Sequence, residues 1–300
     1  MNSINFLLNK GPVHDKPSIR PWSTLPILCV VFGLLSVIAL VFIVRRFVKN
    51  KKVLNLIIFG YGLLFLGLEI YHQINRYLFL KFYDFSSFPF QFCSIPIYVC
   101  LILPFIRNEK VRDSFFYYLG IYCFVGGLFP LFLGQPSLCR WTDPLDVFRS
   151  FLWHILILQV SVIAFAHKPI ALDLKTSYKP LLGAIGIFIS CTIIAQICNV
   201  TLHYAGGINF PVTGKEPFKT PMSVSLNDPD AAGCFYISPY IQPTMIVYDM
   251  IWKKLGWALN WIIYVASFSL LAVIIYFIHY GIHFVWRVAT KKQKTVNQPA

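Results

Sequence analysis

Seven apolar runs, most of them close to 20 residues long, are the feature that most restricts how this chain can fold. A hydrocarbon core about 30 Å thick is crossed by about 20 apolar residues in a helix that rises 1.5 Å per residue. The predicted spans are residues 24–44, 53–71, 88–106, 115–134, 147–166, 180–199 and 255–283. We therefore predict an all-α, polytopic membrane protein with about seven transmembrane helices in one bundle.

The composition agrees with this class. Of the 300 residues, 57% are hydrophobic and only 13% are charged, whereas a soluble domain carries about 25% charged residues. We divide the chain into a polar N-terminal segment (1–23), a membrane domain (24–283) and a basic tail (284–300). The first apolar run is longer than the 7–15 residues of a signal-peptide core, so we expect it to stay as a membrane span in the cell membrane.

The net charge of +14 is concentrated in alternate connections. Fifteen Lys and Arg residues lie in segments 45–52, 107–112, 167–179 and 286–294. By the positive-inside rule these segments face the cytoplasm, which predicts an external N-terminus and a cytoplasmic C-terminus. Basic segments beside a membrane also contact anionic lipid, so the charge predicts lipid contacts and not a nucleic-acid site.

One connection, at about 200–250, is much longer than the others and holds six prolines. Connections longer than about 15 residues are usually functional or disordered. The aromatic stretch at 234–252 favours packing of its second half, as an interfacial helix or lid. A covering loop without a catalytic part remains the alternative.

The eight cysteines and seven histidines show no metal motif such as HExxH or CxxC, so no metal and no cofactor are predicted. His279 and His283 have the spacing of a metal pair, but a polar interfacial face explains them more simply. Cys139 and Cys234 fall in connections that our topology places outside, where a disulfide between them is one alternative.

Polar residues inside the spans converge at one depth. Cys93 lies five residues into the third span and His154 seven into the fifth, which is roughly 8 Å and 10 Å of depth in two spans of the same direction. Residues of the second and sixth spans end in the same leaflet. They are Glu69, Gln73, Arg76 and Asn199. Such groups usually face a bundle interior or a water-filled cavity.

A thiol beside an imidazole can be activated as a nucleophile, with the histidine as general base. Amides such as Gln91 or Asn199 could donate hydrogen bonds to an oxyanion. Glu69 could orient His154 or pair with Arg76. Pro96 cannot donate a helical hydrogen bond, so we expect it to kink the third helix beside the thiol.

Three stretches resemble a known family. "FPFQFCSIPIYV" (88–99) is similar to the "LP-[LF]-x-[LF]-C-[SDN]" helix of the YwaF-like integral membrane proteins. "FLWHILIL" (151–158) resembles their histidine helix, although Ile155 stands where that family has a glycine. "ICNVTLHYAGGINF" (197–210) resembles their asparagine segment, with Asn199 and Asn209 as the matching residues.

These proteins are related to the transmembrane protein 164 acyltransferase family. The resemblance implies a phospholipid acyltransferase with Cys93 as nucleophile and His154 as its base, and membrane lipids as substrates. We also predict supporting or substrate-binding roles for the polar neighbours at the same depth and for the matching asparagines. They are Glu69, Gln73, Arg76, Gln91, Asn199 and Asn209.

Two other interpretations remain open from the residues alone. In one, the polar layer binds a small solute in a transporter, although the chain shows no repeat symmetry of the kind common in secondary transporters. In the other, the protein is a structural partner whose cysteine and histidine only pack or make interhelical hydrogen bonds.

Overall fold

The computed structural model describes residues 19–48, 50–80, 88–139, 144–167, 174–205, 234–239 and 246–296. Within these ranges the protein is all-helical, and each predicted span corresponds to a helix. In chain order they are α1 (Thr24–Phe47), α2 (Lys51–Leu80), α3 (Ile95–Ile102), α4 (Glu109–Phe132), α5 (Pro144–His167), α6 (Leu174–Ala205) and α7 (Ile246–Val296). The prediction of an all-α membrane bundle is confirmed, and six of these helices are long and apolar enough to cross a membrane.

The third helix is shorter than predicted. α3 has eight residues, which is about 12 Å of helix, followed by the 3-10 turn Leu103–Phe105. The prediction that Pro96 kinks a long helix is wrong, because Pro96 lies in the first turn of α3, where its missing N–H is not needed. Pro104 ends the helix for the opposite reason, since it cannot donate the next helical hydrogen bond.

Helices α4 and α5 form the centre of the bundle. In their most apolar stretches 67% and 72% of residues are buried, against 17% to 33% in the other long helices. Glycines allow this close pairing. A Cβ on Gly127 of α4 would lie 2.7 Å from the Leu158 nitrogen and 2.9 Å from the His154 carbonyl oxygen of α5. The hydroxyl of Ser161 donates to the Gly120 carbonyl at 2.6 Å across the same pair.

A short chain of hydrogen bonds joins α5 to its neighbours. The Tyr61 hydroxyl of α2 donates to Gln159 Oε1 at 2.8 Å, and Gln159 Nε2 donates to Ser36 Oγ of α1 at 2.9 Å. Small residues also let α1 approach, because a Cβ on Gly33 would meet the Ile155 side chain. The isoleucine that follows His154 therefore occupies space left open by a glycine on α1.

The chain reverses direction inside α7. In an unbroken helix Tyr248 and Ser267 would be roughly 28 Å apart, yet their hydroxyls lie 2.6 Å from each other. The rings of Tyr248 and Tyr264 are also 5.1 Å apart. The break is at Gly256, with φ 82° and ψ 170°, a conformation open mainly to glycine. Residues 246–255 therefore pack back along the apolar span that follows.

Lys51 at the start of α2 and Arg112 of α4 both contact Glu109, at 3.1 Å and 2.9 Å. Two of the four basic segments thus meet at one end of the bundle, as the positive-inside pattern requires. Exposed ion pairs of this kind add little stability. These ion pairs do show that the connections before α2 and before α4 lie at the same end of the bundle.

Candidate active site

Cys93 lies in a turn just before α3, outside regular helix. The turn closes through Ser94 N and Ile95 N, which donate to the Gln91 carbonyl at 2.8 Å and 3.2 Å. The Tyr98 hydroxyl donates to the Pro89 carbonyl at 2.7 Å and fastens the preceding residues. Cys93 is a partly buried residue, so the turn is not packed away completely inside the bundle.

Helix α5 contacts this turn through two consecutive residues. The indole nitrogen of Trp153 donates to the Cys93 carbonyl at 3.1 Å. His154, the next residue, is partly buried, and its Nδ1 lies 2.8 Å from the Ser150 carbonyl oxygen. A carbonyl only accepts hydrogen bonds, so Nδ1 carries the proton in the neutral ring. Nε2 then holds the lone pair, and no hydrogen bond to Nε2 is found among the described residues.

On α2, two of the polar residues that we predict to lie in the same leaflet contact each other. Gln73 Nε2 donates to Glu69 Oε1 at 2.6 Å, one helical turn away. Of the alternatives for Glu69, pairing with Arg76 cannot be assessed because the Arg76 side chain lies outside the described part of the chain. Asn209 lies outside the described residues altogether.

Arg149, to which we assigned no role from the sequence, lies near these polar groups. Arg149 on α5 is 3.6 Å from Asp146, and both side chains are nearly buried, at 12% and 11% exposed. Its charge acts on Glu69, on the Cys93 thiol and on His154. These four groups therefore form one polar cluster, as the depth argument predicts for three of them.

Two amides of α6 hold the covering segment, which we define as residues 234–238. Asn199 uses both ends of its side chain, accepting from Cys234 N at 2.7 Å and donating to Cys234 O at 3.2 Å. Gln196 Nε2 donates to Ile237 O at 2.5 Å. Asn199 is completely buried and both its polar atoms are engaged, so in this structure it supports the segment instead of facing a substrate.

Gln91 connects the covering segment to the cysteine turn. Gln91 lies two residues before Cys93 in the chain, and its Oε1 accepts a hydrogen bond from Phe235 N at 2.9 Å. Phe235 has φ 59°, a left-handed conformation that is unfavourable for a bulky residue, and its side chain is fully buried. The prediction that part of the long connection packs is confirmed for residues 234–238.

Aromatic rings pack around Phe92, the residue before the cysteine. The ring of Phe92 has four aromatic neighbours within 6.3 Å, from the covering segment and from α4, α6 and α7. They are Tyr122, Phe188, Phe235 and Phe268. A Cβ on Gly126 would come within 3.1 Å of the same ring. The residue before the cysteine is thus fixed by packing.

The sequence shows Arg149 and Gln196 as polar residues inside predicted spans, but we assigned a contact neither to them nor to Trp153. Asp146 and Arg149 have the i, i+3 spacing of an ion pair inside an otherwise apolar helix, and that signal was available. The partners of Trp153 and Gln196 are 60 and 41 residues away. Nothing local in the sequence indicates such pairs.

The disulfide suggested for Cys139 and Cys234 does not form. Both cysteines are free and buried, and they belong to different apolar clusters, Cys139 with Cys29 of α1 and Cys234 with the centre of the bundle. Burial, reinforced by the nearby Cys29, raises the pKa of the Cys139 thiol. A protonated thiol of this kind is inert.

His279 packs its ring on Phe165, with centroids 4.1 Å apart. Residue 283, its proposed partner, has a side chain outside the described part of the chain. Among the described residues no group of three or more His, Cys, Asp or Glu side chains lies together as a metal site needs.

Six long apolar helices and a polar cluster inside the bundle define a multi-pass helical membrane protein. The sequence model of the TMEM164 family matches residues 18–280, and the chain belongs to that family. The predicted relation to the transmembrane protein 164 family is confirmed, whereas its YwaF-like part stays a prediction. No curated protein and no solved structure matches the chain.

Proposed function

We propose that this protein is a membrane-embedded lipid acyltransferase in which Cys93 is the nucleophile and His154 its base. The observation that carries the proposal is the Trp153 contact, because it joins the turn that holds the thiol to the helix residue next to His154. The proton on Nδ1, held by Ser150, leaves Nε2 able to accept the thiol proton.

In the first half-reaction, Nε2 takes the proton of the Cys93 thiol, and the sulfur attacks the ester carbonyl of a donor lipid. A carbon–sulfur bond forms, the ester carbon–oxygen bond breaks, and the proton on Nε2 passes to the leaving oxygen. The products are an acyl thioester on Cys93 and a lipid with a free hydroxyl.

In the second half-reaction, Nε2 takes the proton of an acceptor lipid hydroxyl, and that oxygen attacks the thioester. A new ester bond forms, the carbon–sulfur bond breaks, and the proton returns to the sulfur. Helix α3 begins two residues after Cys93, and the positive end of its dipole would favour negative charge that develops near the sulfur in both steps.

The surroundings of Cys93 suit an amphiphilic substrate. The covering segment and the ring of aromatic side chains around Phe92 exclude water, which would otherwise hydrolyse a thioester. Cys93 and His154 lie within a bundle whose outer helices expose apolar side chains. The basic connections are proposed to contact anionic lipid on the cytoplasmic side of the cell membrane.

The test is acyl exchange in proteoliposomes that contain a phospholipid with an isotopically labelled acyl chain and an unlabelled lysophospholipid. Wild type should transfer the labelled acyl chain to the lysophospholipid, which thereby becomes a labelled phospholipid. Cys93→Ser and His154→Gln should each reduce the rate by about 100-fold or more. Cys191→Ala, which removes another partly buried cysteine, should leave the rate close to that of wild type.

Equal exchange in wild type and Cys93→Ser would contradict the mechanism. If wild type shows no exchange, the proposed activity fails, and solute uptake into the same proteoliposomes tests the transport alternative.

A further inference from the structure

Trp153 holds the main chain of the cysteine turn. Its side chain is 5% exposed, and its indole N–H has one acceptor, the Cys93 carbonyl at 3.1 Å. A buried carbonyl without a donor is unfavourable, so this bond favours one position of the Cys93 main chain over others. The carbonyl and the thiol belong to the same residue, and holding one restricts where the other can point.

The indole also packs against an aromatic ring of α2. The ring of Phe65 on α2 meets the Trp153 ring edge-to-face at 5.2 Å, and Phe65 is completely buried. Aromatic pairs of this geometry are favourable beyond the area they bury. This ring contact stabilises the packing of α2 against α5, whereas the hydrogen bond to the Cys93 carbonyl is made by the indole N–H alone.

Helix α5 packs closely against α4 beside His154. At Gly127 the backbone of α4 comes so close that a Cβ would lie 2.9 Å from the His154 carbonyl oxygen. Trp153 and His154 are consecutive, so the distance between the indole and the imidazole is set by the helix itself. One segment of α5 thus carries both the group that holds the Cys93 main chain and the group that would take its proton.

We propose that Trp153 is a positioning residue, whose indole N–H orients the Cys93 turn so that the thiol is presented to His154. This inference rests on the proposed function for its role in the reaction. The positional part can be measured without any acyl transfer.

The test compares Trp153→Phe, which keeps an aromatic ring but removes the N–H, with Phe65→Leu, which removes the packing partner but keeps the N–H. Alkylation by N-ethylmaleimide is followed by peptide mass spectrometry in the full-length protein in micelles. Cys191 on α6, also partly buried, is the internal reference. Formation of the acyl adduct on Cys93 is followed in parallel.

In Trp153→Phe the turn should open locally. Alkylation of Cys93 relative to Cys191 should rise roughly threefold, while adduct formation slows about tenfold, the size of effect expected for one hydrogen bond. General loosening would raise alkylation at both cysteines, so the Cys93 to Cys191 ratio separates it from a local change in the turn. In Phe65→Leu the melting temperature should fall, but the Cys93 to Cys191 ratio should change by less than about twofold.

An unchanged ratio in Trp153→Phe, or an equal rise at both cysteines, would overturn the positioning role. If wild type forms no adduct, the proposed function fails, yet the alkylation ratio still decides whether Trp153 holds the turn.

Discussion

Two buried asparagines of the bundle have opposite surroundings. Asn199 makes two hydrogen bonds to the Cys234 main chain. Asn260 is also completely buried, but neither of its side-chain polar atoms has a partner among the described residues. The same side chain is therefore expected to stabilise the protein at one position and not at the other.

We predict that Asn199→Leu lowers the free energy of unfolding by about 2–4 kcal/mol, because it leaves a buried N–H and a buried carbonyl unpaired. Asn260→Leu, the matched control, should be neutral or stabilising, since it removes polar atoms that have no partner. Thermal unfolding in one detergent measures both. A loss at Asn260 as large as that at Asn199 would contradict this account of the covering segment.

At the scale of helices, the contact of α4 with α5 depends on Gly127. In Gly127→Ala the new Cβ would meet backbone atoms of Leu158 and His154, so the helices must separate. We expect a loss of about 1–3 kcal/mol in unfolding free energy. Gly67→Ala on α2, where a Cβ meets nothing within 4 Å, should be neutral or stabilising by up to about 1 kcal/mol. Equal melting temperatures for the two variants would show that the close approach does not matter.

The reversal at Gly256 is a second property of an element. A Cβ there meets nothing within 4 Å, but φ is +82°, so Gly256→Ala should lose about 1–3 kcal/mol through backbone strain alone. Gly186→Ala on α6 has the same open surroundings, but Gly186 lies in a regular helix. This variant should therefore not lose stability. Differential scanning fluorimetry of the two variants separates strain from crowding. A Gly256→Ala variant as stable as wild type would mean that the chain does not reverse there.

Much of this architecture could be predicted from the sequence because apolar length is a local property. The spans of α1, α2, α4, α5 and α6 follow directly from it. The length of α3 could not be predicted so, since Pro96 is compatible with either a kink or a first turn. The hydrogen bond between Tyr248 and Ser267 could not be predicted either, because a single glycine in an apolar stretch does not by itself indicate that the chain reverses.

The candidate site divides in the same way. Cys93, His154 and Glu69 could be grouped by depth, which needs only helix geometry. Trp153 and Gln91 could not be given their partners, because the indole bonds a residue 60 positions away and the amide one 144 positions away. Long-range pairs of this kind depend on how the helices pack, and no local pattern in the sequence indicates which residues will pair.

For the whole molecule, the orientation in the membrane stays a prediction. The meeting of Lys51 and Arg112 at Glu109 is consistent with four basic segments on the cytoplasmic side. A fluorescent protein fused to the C-terminus, after the basic tail, should stay in the cytoplasm and fluoresce. One fused to the N-terminus should be exported and should not fluoresce. A fluorescent N-terminal fusion beside a dark C-terminal one would reverse the topology.

The central claim is that Cys93 becomes acylated with His154 as its base. The most direct measurement is mass spectrometry of the purified protein after incubation with native phospholipids. The account predicts an acyl adduct on the peptide that contains Cys93, released by hydroxylamine, absent in Cys93→Ala and formed more slowly in His154→Ala. A wild-type protein without this adduct, or an adduct that persists in Cys93→Ala, would contradict it.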